Sequence, residues 1–251
     1  MKILTVILLV IPALSLAQAE VESKAYNWSD FKSKKAENRQ LRQYLDGSTT
    51  LLQNLEIHTS TVEGGEAPHP PHTHVDQEEL VIIEEGTLTA TIGKESRVLG
   101  PGSVIYVLPN EEHGFVNAGK KPCTYFIIKL RHEFPLEAWS GPKSFMMDWN
   151  EMKFEPHDKG GRRNVIDRST TMFERFEMHI TTLNVGLTSH EPHSHTPEEI
   201  ILIKEGDVEM NVGEKKVKAS AGGLVFLDSK ILHNLTNVGK KPATYYAFQW
   251  N

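Results

Sequence analysis

The chain has 251 residues, of which 39% are hydrophobic and 24% are charged, a balance typical of a globular protein with an apolar core. Its formal net charge is −6, and its paired basic residues are short and scattered, so no nucleic-acid partner is expected. The single cysteine, Cys123, excludes an intramolecular disulfide.

The first 19 residues have the pattern of a secretory signal peptide. Apolar residues fill most of positions 3–16, and Ala17-Gln18-Ala19 follow as a small-residue cleavage site. A retained membrane anchor is the alternative, but about 14 apolar residues are too few to span a bilayer. We therefore expect cleavage after Ala19, export to the periplasm or the cell exterior, and no membrane contact of the mature chain.

An internal repeat accounts for most of the remaining chain. Residues 27–32 match residues 148–153 at an offset of 121, and the offset becomes 120 after a single-residue deletion. The stretch 131–146 contains proline and glycine and has no repeat partner. The repeat therefore predicts two domains of similar build, residues 20–135 and 136–251.

Within each unit the apolar pattern is that of short strands. Val, Ile, Thr and aromatic residues are concentrated in segments separated by Gly or Pro turns, namely 51–62, 80–84, 87–92, 104–108 and 124–130. Helical periodicity is weak outside residues 31–44. Short strands at a spacing of about ten residues predict an all-β fold, with each unit a sandwich or small barrel of six to eight strands.

Histidines and a glutamate recur in both units with the spacing of a metal site. The matched sets are His72, His74, Glu79 and His113 in the first unit and His193, His195, Glu199 and His233 in the second. Residues i and i+2 of a strand point to one face, so the two closely spaced histidines of each set can approach one point. The alternative is a set of surface histidines in a polar loop. Ten of the 12 histidines occupy matched positions, which favours metal binding.

Three imidazoles and a carboxylate suit a divalent transition metal, and they leave coordination positions open for a substrate. Mn, Fe, Co, Ni, Cu and Zn are all compatible with such a set, at up to two metals per chain. Glu78 and Glu198 are neighbouring alternatives for the carboxylate ligand.

These motifs resemble those of the cupin superfamily. The first cupin motif, His-x-His followed by Glu and then by Gly after six residues, is matched from His72 to Gly86 and from His193 to Gly206. That spacing selects Glu79 and Glu199 over their neighbours. The second motif is matched by its Gly, His and Asn positions, namely Gly102, His113, Asn117 and Gly222, His233, Asn237. The resemblance implies two tandem cupin barrels, each a jelly roll or double-stranded β-helix.

Two residues depart from the second motif in each unit. Asn110 and Lys230 stand where the motif has a glycine, and Leu108 and Asp228 stand where it has a proline. We expect these departures to affect turns and not ligands.

Three further pairs of matched residues are singled out. His58 and His179 lie two positions after Glu56 and Glu177, which predicts an ion pair on the solvent face, with a role beside the metal as the alternative. Trp28 and Trp149 are expected to pin their segments onto the core. His69 and His190 precede the metal motif by three residues, and nearby prolines favour a polyproline II turn that returns each imidazole to the pocket mouth. We predict that these two histidines transfer protons, with a solvated loop position as the alternative.

The resemblance implies an exported, metal-dependent bicupin enzyme that acts on a small polar organic substrate. Bicupins of this kind include ureidoglycine aminohydrolases, quercetin dioxygenases and oxalate decarboxylases, so hydrolase, dioxygenase and lyase chemistry all stay open. The alternative is a non-catalytic cupin that binds or stores a metal or a small molecule. The sequence leaves open whether the chain forms a homo-oligomer.

Overall fold

The chain is built almost entirely of antiparallel strands. The computed structural model describes residues 19–132 and 140–251. The strands, numbered in chain order, are β1 Lys24–Tyr26, β2 Lys34–Ala36, β3 Arg39–Gly47, β4 Asn54–Val62, β5 Glu78–Glu85, β6 Leu88–Ile92, β7 Glu95–Leu99, β8 Val104–Val107, β9 His113–Val116, β10 Cys123–Arg131, β11 Phe145–Met147, β12 Glu155–His157, β13 Gly160–Arg168, β14 Phe176–Leu183, β15 Glu198–Glu205, β16 Asp207–Val212, β17 Lys215–Ser220, β18 Leu224–Leu227, β19 His233–Asn237 and β20 Ala243–Trp250. Short 3-10 helices span Trp28–Asp30 and Trp149–Glu151.

The all-β prediction is confirmed, and every segment predicted as a strand contains one. Residues 31–44 were the one stretch with some helical periodicity. They form β2 and the first part of β3 and not a helix, because β3 pairs along its length with β4. Apart from Ala19, the predicted signal peptide lies outside the described residues. The predicted boundary between residues 135 and 136 lies outside them too.

Two barrels are formed, and each borrows one strand from the other half of the chain. The first barrel joins the seven-stranded sheet β11-β8-β5-β10-β4-β3-β2 to the three-stranded sheet β7-β6-β9. The second barrel joins β1-β18-β15-β20-β14-β13-β12 to β17-β16-β19. Strand β1 therefore pairs with β18, and its repeat counterpart β11 pairs with β8. Each barrel has ten strands, more than the six to eight predicted, because the exchanged strand and a hairpin extend the larger sheet.

Both faces of the two large sheets are buried, which decides where consecutive side chains point. Along β5, Leu80 and Ile82 enter an apolar core shared by the two halves, whereas Val81 and Ile83 fill the interior of the first barrel. Strand β15 repeats this alternation with Ile200 and Leu202 in the shared core. Because side chains alternate along a strand, neighbouring residues of β5 and β15 serve different cores.

Positive φ angles at the turns account for both the motif glycines and the departures from them. Gly86 has φ +81, and a Cβ there would lie 2.6 Å from the carbonyl oxygen of Pro122. Asn110 and Lys230, which replace the glycine of the second motif, also adopt positive φ, at 65 and 64. Asn is one of the few residues that tolerate this region readily, whereas Lys carries some strain there. The turn is therefore retained, although the departures were expected to affect it.

Two tryptophans at matched positions of the repeat, Trp28 and Trp149, each pack against the other barrel. The ring of Trp28 lies against Gly222, and that of Trp149 lies against Gly102, where a Cβ would approach the ring to 2.5 Å. The guanidinium of Arg42 lies 4.0 Å from the Trp28 ring centroid, a cation–π contact. These tryptophans therefore pin the exchanged segments, in agreement with the expectation.

A buried glutamate from each barrel binds the loop that precedes β4 or β14 of the other barrel. Glu78 accepts hydrogen bonds from the Thr171 hydroxyl and, at 3.0 Å, from the Met172 backbone amide. Glu198 accepts from the Thr49 hydroxyl at 2.7 Å and from the Leu51 amide at 2.9 Å. We call these contacts the glutamate junction.

Both junction carboxyls are fully shielded from solvent, and each has one further donor from its own barrel. That donor is Tyr106 for Glu78 and the Trp250 indole, at 3.1 Å, for Glu198. Burial raises the pKa of Glu78, and it raises the pKa of Glu198 to about 7 despite these hydrogen bonds.

None of the helices in the described part of the chain combines the length and the apolar character needed to cross a bilayer.

Candidate metal centres

Strand alternation sends one glutamate of each Glu-Glu pair into a barrel. Glu79 shares the inward face of β5 with Val81 and Ile83, whereas Glu78 faces the junction. Glu199 and Glu198 divide in the same way on β15. The predicted choice of carboxylate therefore agrees with the geometry.

His72 and His74 reach the first centre from a loop, not from a strand as predicted. They precede β5, where the prolines at 70 and 71 and the following polar run prevent regular pairing. One isolated bridge fixes the position, because His72 and His113 exchange backbone hydrogen bonds of 2.9 Å in both directions. The amide of Asn110 also donates to the His74 carbonyl at 2.7 Å, which ties the left-handed turn to this loop.

The second centre is built in the same manner. His193 bridges to His233 at the start of β19, and the amide of Lys230 donates to the His195 carbonyl at 2.7 Å. The single-residue deletion before Glu199 shortens the loop without separating its histidines from the rest of the site.

Three imidazoles converge in each barrel. In the first centre the ring centroid of His72 lies 4.5 Å from the centroid of His74 and 4.5 Å from that of His113. In the second centre His193 lies 5.4 Å from His195 and 4.5 Å from His233. One nitrogen from each ring of a triad lies within 4.8 Å of the others, which is the spacing needed to hold a single ion.

The donor atoms fit a divalent metal. His113 Nδ1 donates to the Glu111 carbonyl at 3.0 Å and His233 Nδ1 donates to the Ile231 carbonyl at 2.8 Å. A backbone carbonyl can only accept, so these contacts leave the Nε2 lone pair of each ring directed at the site. Both Nε2 atoms are buried and have no hydrogen-bond partner within the described residues. A metal ion would satisfy them.

A carboxylate completes each set. Glu79 lies 3.2 Å from Nε2 of His74 and 3.7 Å from Nε2 of His113, through different oxygens. Burial alone would raise the pKa of Glu79, but the hydrogen bond with His74 and the nearby imidazoles outweigh it and lower the pKa.

In the second centre a single oxygen of Glu199 lies 3.3 Å from His195 and 3.2 Å from His233. These two contacts outweigh burial and lower the pKa of Glu199 to about 2. Both glutamates are therefore anionic at neutral pH, as a metal ligand must be.

His72 and His193 are held in the neutral form. Burial, together with His113 and the other ring neighbours, lowers the pKa of His72 to about 4. Burial and the adjacent His190 and His233 lower the pKa of His193 in the same direction. A neutral imidazole is the form that binds a metal.

Each centre opens into a cavity. The first cavity, of about 410 Å³, is bordered by His72 and Glu79 and by Arg39, His58 and Lys129. The second, of about 320 Å³, is bordered by all four proposed ligands of its barrel and by further polar side chains, among them Lys159, Arg162, His179 and Gln249. Arg39 at the first mouth and Lys159 and Arg162 at the second come from the hairpins β2/β3 and β12/β13, whereas Lys129 comes from β10. The sequence motifs did not single out these cations.

The predicted solvent-facing ion pairs of His58 and His179 are wrong in their location. Both pairs exist, with His58 2.9 Å from Glu56 and His179 2.8 Å from Glu177. They face the barrel interiors, because the alternate residues of β4 and β14 enter the shared core. His58 is only 2% exposed. The alternation of apolar residues in β4, beginning at Leu55, puts the pair on the opposite face of the strand but does not show that this face is covered.

His69 and His190 lie at the mouths of their cavities. Their ring centroids lie 4.4 Å from His72 and 4.1 Å from His193, and neither belongs to the converging triads. The Nδ1 of each ring contacts the carbonyl of the next residue, at 3.1 and 3.0 Å. Their role in proton transfer stays a prediction.

Comparison with known proteins agrees with the motifs and the barrels. Residues 58–129 and residues 179–248 each match the Cupin domain family, and together they make up more than half of the chain. The chain belongs to the cupin family and carries two tandem cupin domains. It has no significant match among curated proteins.

Solved structures of low sequence identity share the bicupin fold. AerE from Microcystis aeruginosa is 18% identical, with a TM-score of 0.69 over 88% of this chain and 97% of that one. The formate complex of Lactobacillus farciminis oxalate decarboxylase is 13% identical, with a TM-score of 0.72 over 94% and 88%. Bacillus subtilis oxalate decarboxylase, studied for its Mn(II) centres, is 13% identical, with a TM-score of 0.70 over 94% and 79%. At these identities the likeness concerns the fold alone.

Proposed function

We propose that this chain is an exported, divalent-metal-dependent bicupin enzyme that acts on a small polar organic molecule. The observation that carries the proposal is the pair of matched His-His-His-Glu sets, each with buried, unpartnered Nε2 atoms and each opening into a polar cavity. A purely structural metal is normally enclosed by its ligands, whereas a catalytic one keeps an accessible side.

The first metal would be held by His72, His74, Glu79 and His113, and the second by the matched set His193, His195, Glu199 and His233. A divalent ion in such a site supplies Lewis acidity and lowers the pKa of a bound water. The protein's own groups would then orient the substrate, and His69 and His190 would exchange protons with it at the cavity mouth.

Mn(II) is the first metal to use in reconstitution, because the oxalate decarboxylase of Bacillus subtilis, which shares the fold, has Mn(II) centres. Export is part of the proposal and rests on the signal-peptide pattern of residues 1–19. The mass of the protein recovered from the periplasm or the culture medium tests it, with cleavage after Ala19 as the expected result.

A turnover screen of the metal-loaded protein tests the enzymatic part. Ureides, keto acids, dicarboxylates, flavonols and sugar acids form the panel, and product analysis separates hydrolase, dioxygenase and lyase chemistry. The double variant His113→Gln/His233→Gln should lose turnover, whereas His132→Gln, a histidine outside both cavities, should retain it. Binding without turnover across the panel would instead support a non-catalytic binding protein.

A further inference from the structure

The two cavities differ in how their positive charges are neutralised. In the second cavity Arg162 is bound to Glu177 at 2.8 Å, and the same carboxylate also holds His179. The ammonium of Lys159 donates to two backbone carbonyls, those of Thr188 and Ser189, at 2.9 Å each. The side-chain donors of this cavity are thus largely engaged by the protein itself.

The first cavity has a cation without such a partner. Within residues 19–132 and 140–251, the Arg39 side chain makes no ion pair and no hydrogen bond, although it borders the cavity beside His72 and Glu79. Its repeat counterpart in the second barrel is Gly160, so the difference is built into the sequence. A guanidinium presents several donors in one plane, a geometry suited to a carboxylate.

His58 provides a second unsatisfied donor in the same cavity. Its ring is 2% exposed, and its Nε2 has no hydrogen-bond partner within the described residues. Nδ1 lies 2.9 Å from Glu56, close enough for an ion pair although the angle does not favour a hydrogen bond. Glu56 also binds Lys129 at 3.2 Å. A buried polar atom left without a partner is costly, and a ligand oxygen would relieve that cost.

We propose that Arg39 and His58 form a carboxylate-binding subsite that only the first cavity has. The ligand class is a small organic acid with a second oxygen-bearing group, such as a dicarboxylate or a 2-oxo acid. One carboxylate binds between the guanidinium of Arg39 and Nε2 of His58, and the other group faces His72 and Glu79. The second cavity, with Gly160 at the matched position, lacks this subsite. The placement of the far end of the ligand rests on the proposed metal centre. The subsite formed by Arg39 and His58 does not depend on it.

Calorimetric titration with malonate tests the subsite directly. Malonate should bind to the purified, Mn(II)-loaded protein, and neutral malonamide, which has the same carbon skeleton, should bind much more weakly. Arg39→Gln and His58→Gln should each raise the malonate Kd by roughly tenfold or more, because each removes a charge-assisted hydrogen bond. Arg39→Lys should fall in between, because it keeps the charge and loses the planar donor pair.

His179→Gln in the second barrel is the matched control for His58→Gln. Its malonate Kd should stay within about twofold of the wild-type value. Metal content, measured on every variant, should be unchanged in all of them. The inference is overturned if wild-type protein does not bind malonate, if Arg39→Gln and His58→Gln bind as wild type does, or if His179→Gln loses as much affinity as His58→Gln.

Failure of the proposed function has a different signature. An Arg39-dependent malonate isotherm without turnover of any compound in the panel would contradict the enzyme but not the subsite. Titration of metal-free protein separates the subsite from the metal, since the ratio between wild type and Arg39→Gln should persist at lower overall affinity. Equal affinities there would overturn the subsite.

Discussion

The first and second barrels place the same four ligand types at matched positions, yet they surround them with different groups. Arg39 stands at the first mouth where the second has Gly160, and Ile127 lines the first cavity where the second has Ala247. The ligands depend on backbone features common to both halves, namely the isolated His bridge and the inward face of the central strand. The surrounding groups depend on single side chains, which can change without disturbing those features.

The single-residue deletion before Glu199 also changes local contacts without disturbing the backbone features that the two barrels share. It shortens the loop between ligands, and Glu199 then contacts two histidines through one oxygen, whereas Glu79 uses two. The bridge between His193 and His233 is nevertheless retained. A loop can therefore lose a residue while the ligands at its ends still converge.

Removing one candidate ligand, from one barrel at a time, should have the largest effect. It tests whether the two centres bind metal independently. His113→Gln and His233→Gln should each lower the bound metal from two ions per chain to one, because each removes a buried nitrogen directed at a single site. Elemental analysis of both variants measures this. Loss of both metals from either variant would show that the centres are coupled.

The glutamate junction offers the next largest effect, this time on folding. Glu78→Ala and Glu198→Ala should each lower the free energy of unfolding by about 3 kcal/mol, because each leaves buried donors on the opposite half without an acceptor. Glu85→Ala, at an exposed position, is the control and should change it by less than about 0.5 kcal/mol. Chemical denaturation of metal-free protein measures all three variants. Destabilisation by only one junction variant would show that the halves do not contribute equally.

The pH dependence of stability follows from the same junction. The pKa of Glu198 is raised to about 7 in the folded chain from an ordinary 4.5, so the native state binds its proton more tightly. The stability that this provides is complete below about pH 4.5 and is lost as the pH rises through about 7, with a total of about 3 kcal/mol. Glu78 acts with the same sign.

Denaturation of metal-free protein at about pH 5 and about pH 8 measures that loss, and Glu198→Gln should reduce it. Glu199 acts in a different window, because its pKa is lowered to about 2 and its contribution disappears only below about pH 4.5. A stability that rises from about pH 5 to about pH 8 would contradict the assignment for Glu198.

The smallest expected effect concerns the histidines at the cavity mouths. His69→Ala and His190→Ala should leave the metal content unchanged, and each should lower the turnover of its own barrel by about 100-fold, in keeping with the loss of a proton-transfer group. The variant in the more active barrel should lose more, which would identify that barrel. Lost metal would instead make the histidine a ligand, and unchanged turnover would return it to the solvated loop.

The repeat and the motif spacing were enough to predict the fold and the residues that converge in each barrel. The periodic strands, the glycine turns and the histidine pairs are local signals, so each is visible in the sequence without knowledge of the tertiary packing. The choice of Glu79 over Glu78 could also be made from spacing, since alternation along β5 gives the two carboxylates different faces.

Features that depend on the packing of the two halves could not be predicted in the same way. Glu56 and His58 look like a surface pair until β4 is known to be covered on both faces. The exchange of β1 and β11 leaves no local signal, because pairing partners lie far away in sequence. The junction had one local signal, the Ser-Thr-Thr repeated at 48–50 and 169–171, which contains the donors Thr49 and Thr171. Their glutamate partners become evident only when the barrels meet.

Elemental analysis of the purified wild-type protein, with chain concentration measured on the same sample, tests the central claim most directly. The account predicts two divalent transition-metal ions per chain after reconstitution, one for each His-His-His-Glu set. A saturating value of one would mean that only one barrel holds an ion, and the absence of bound metal would contradict the account.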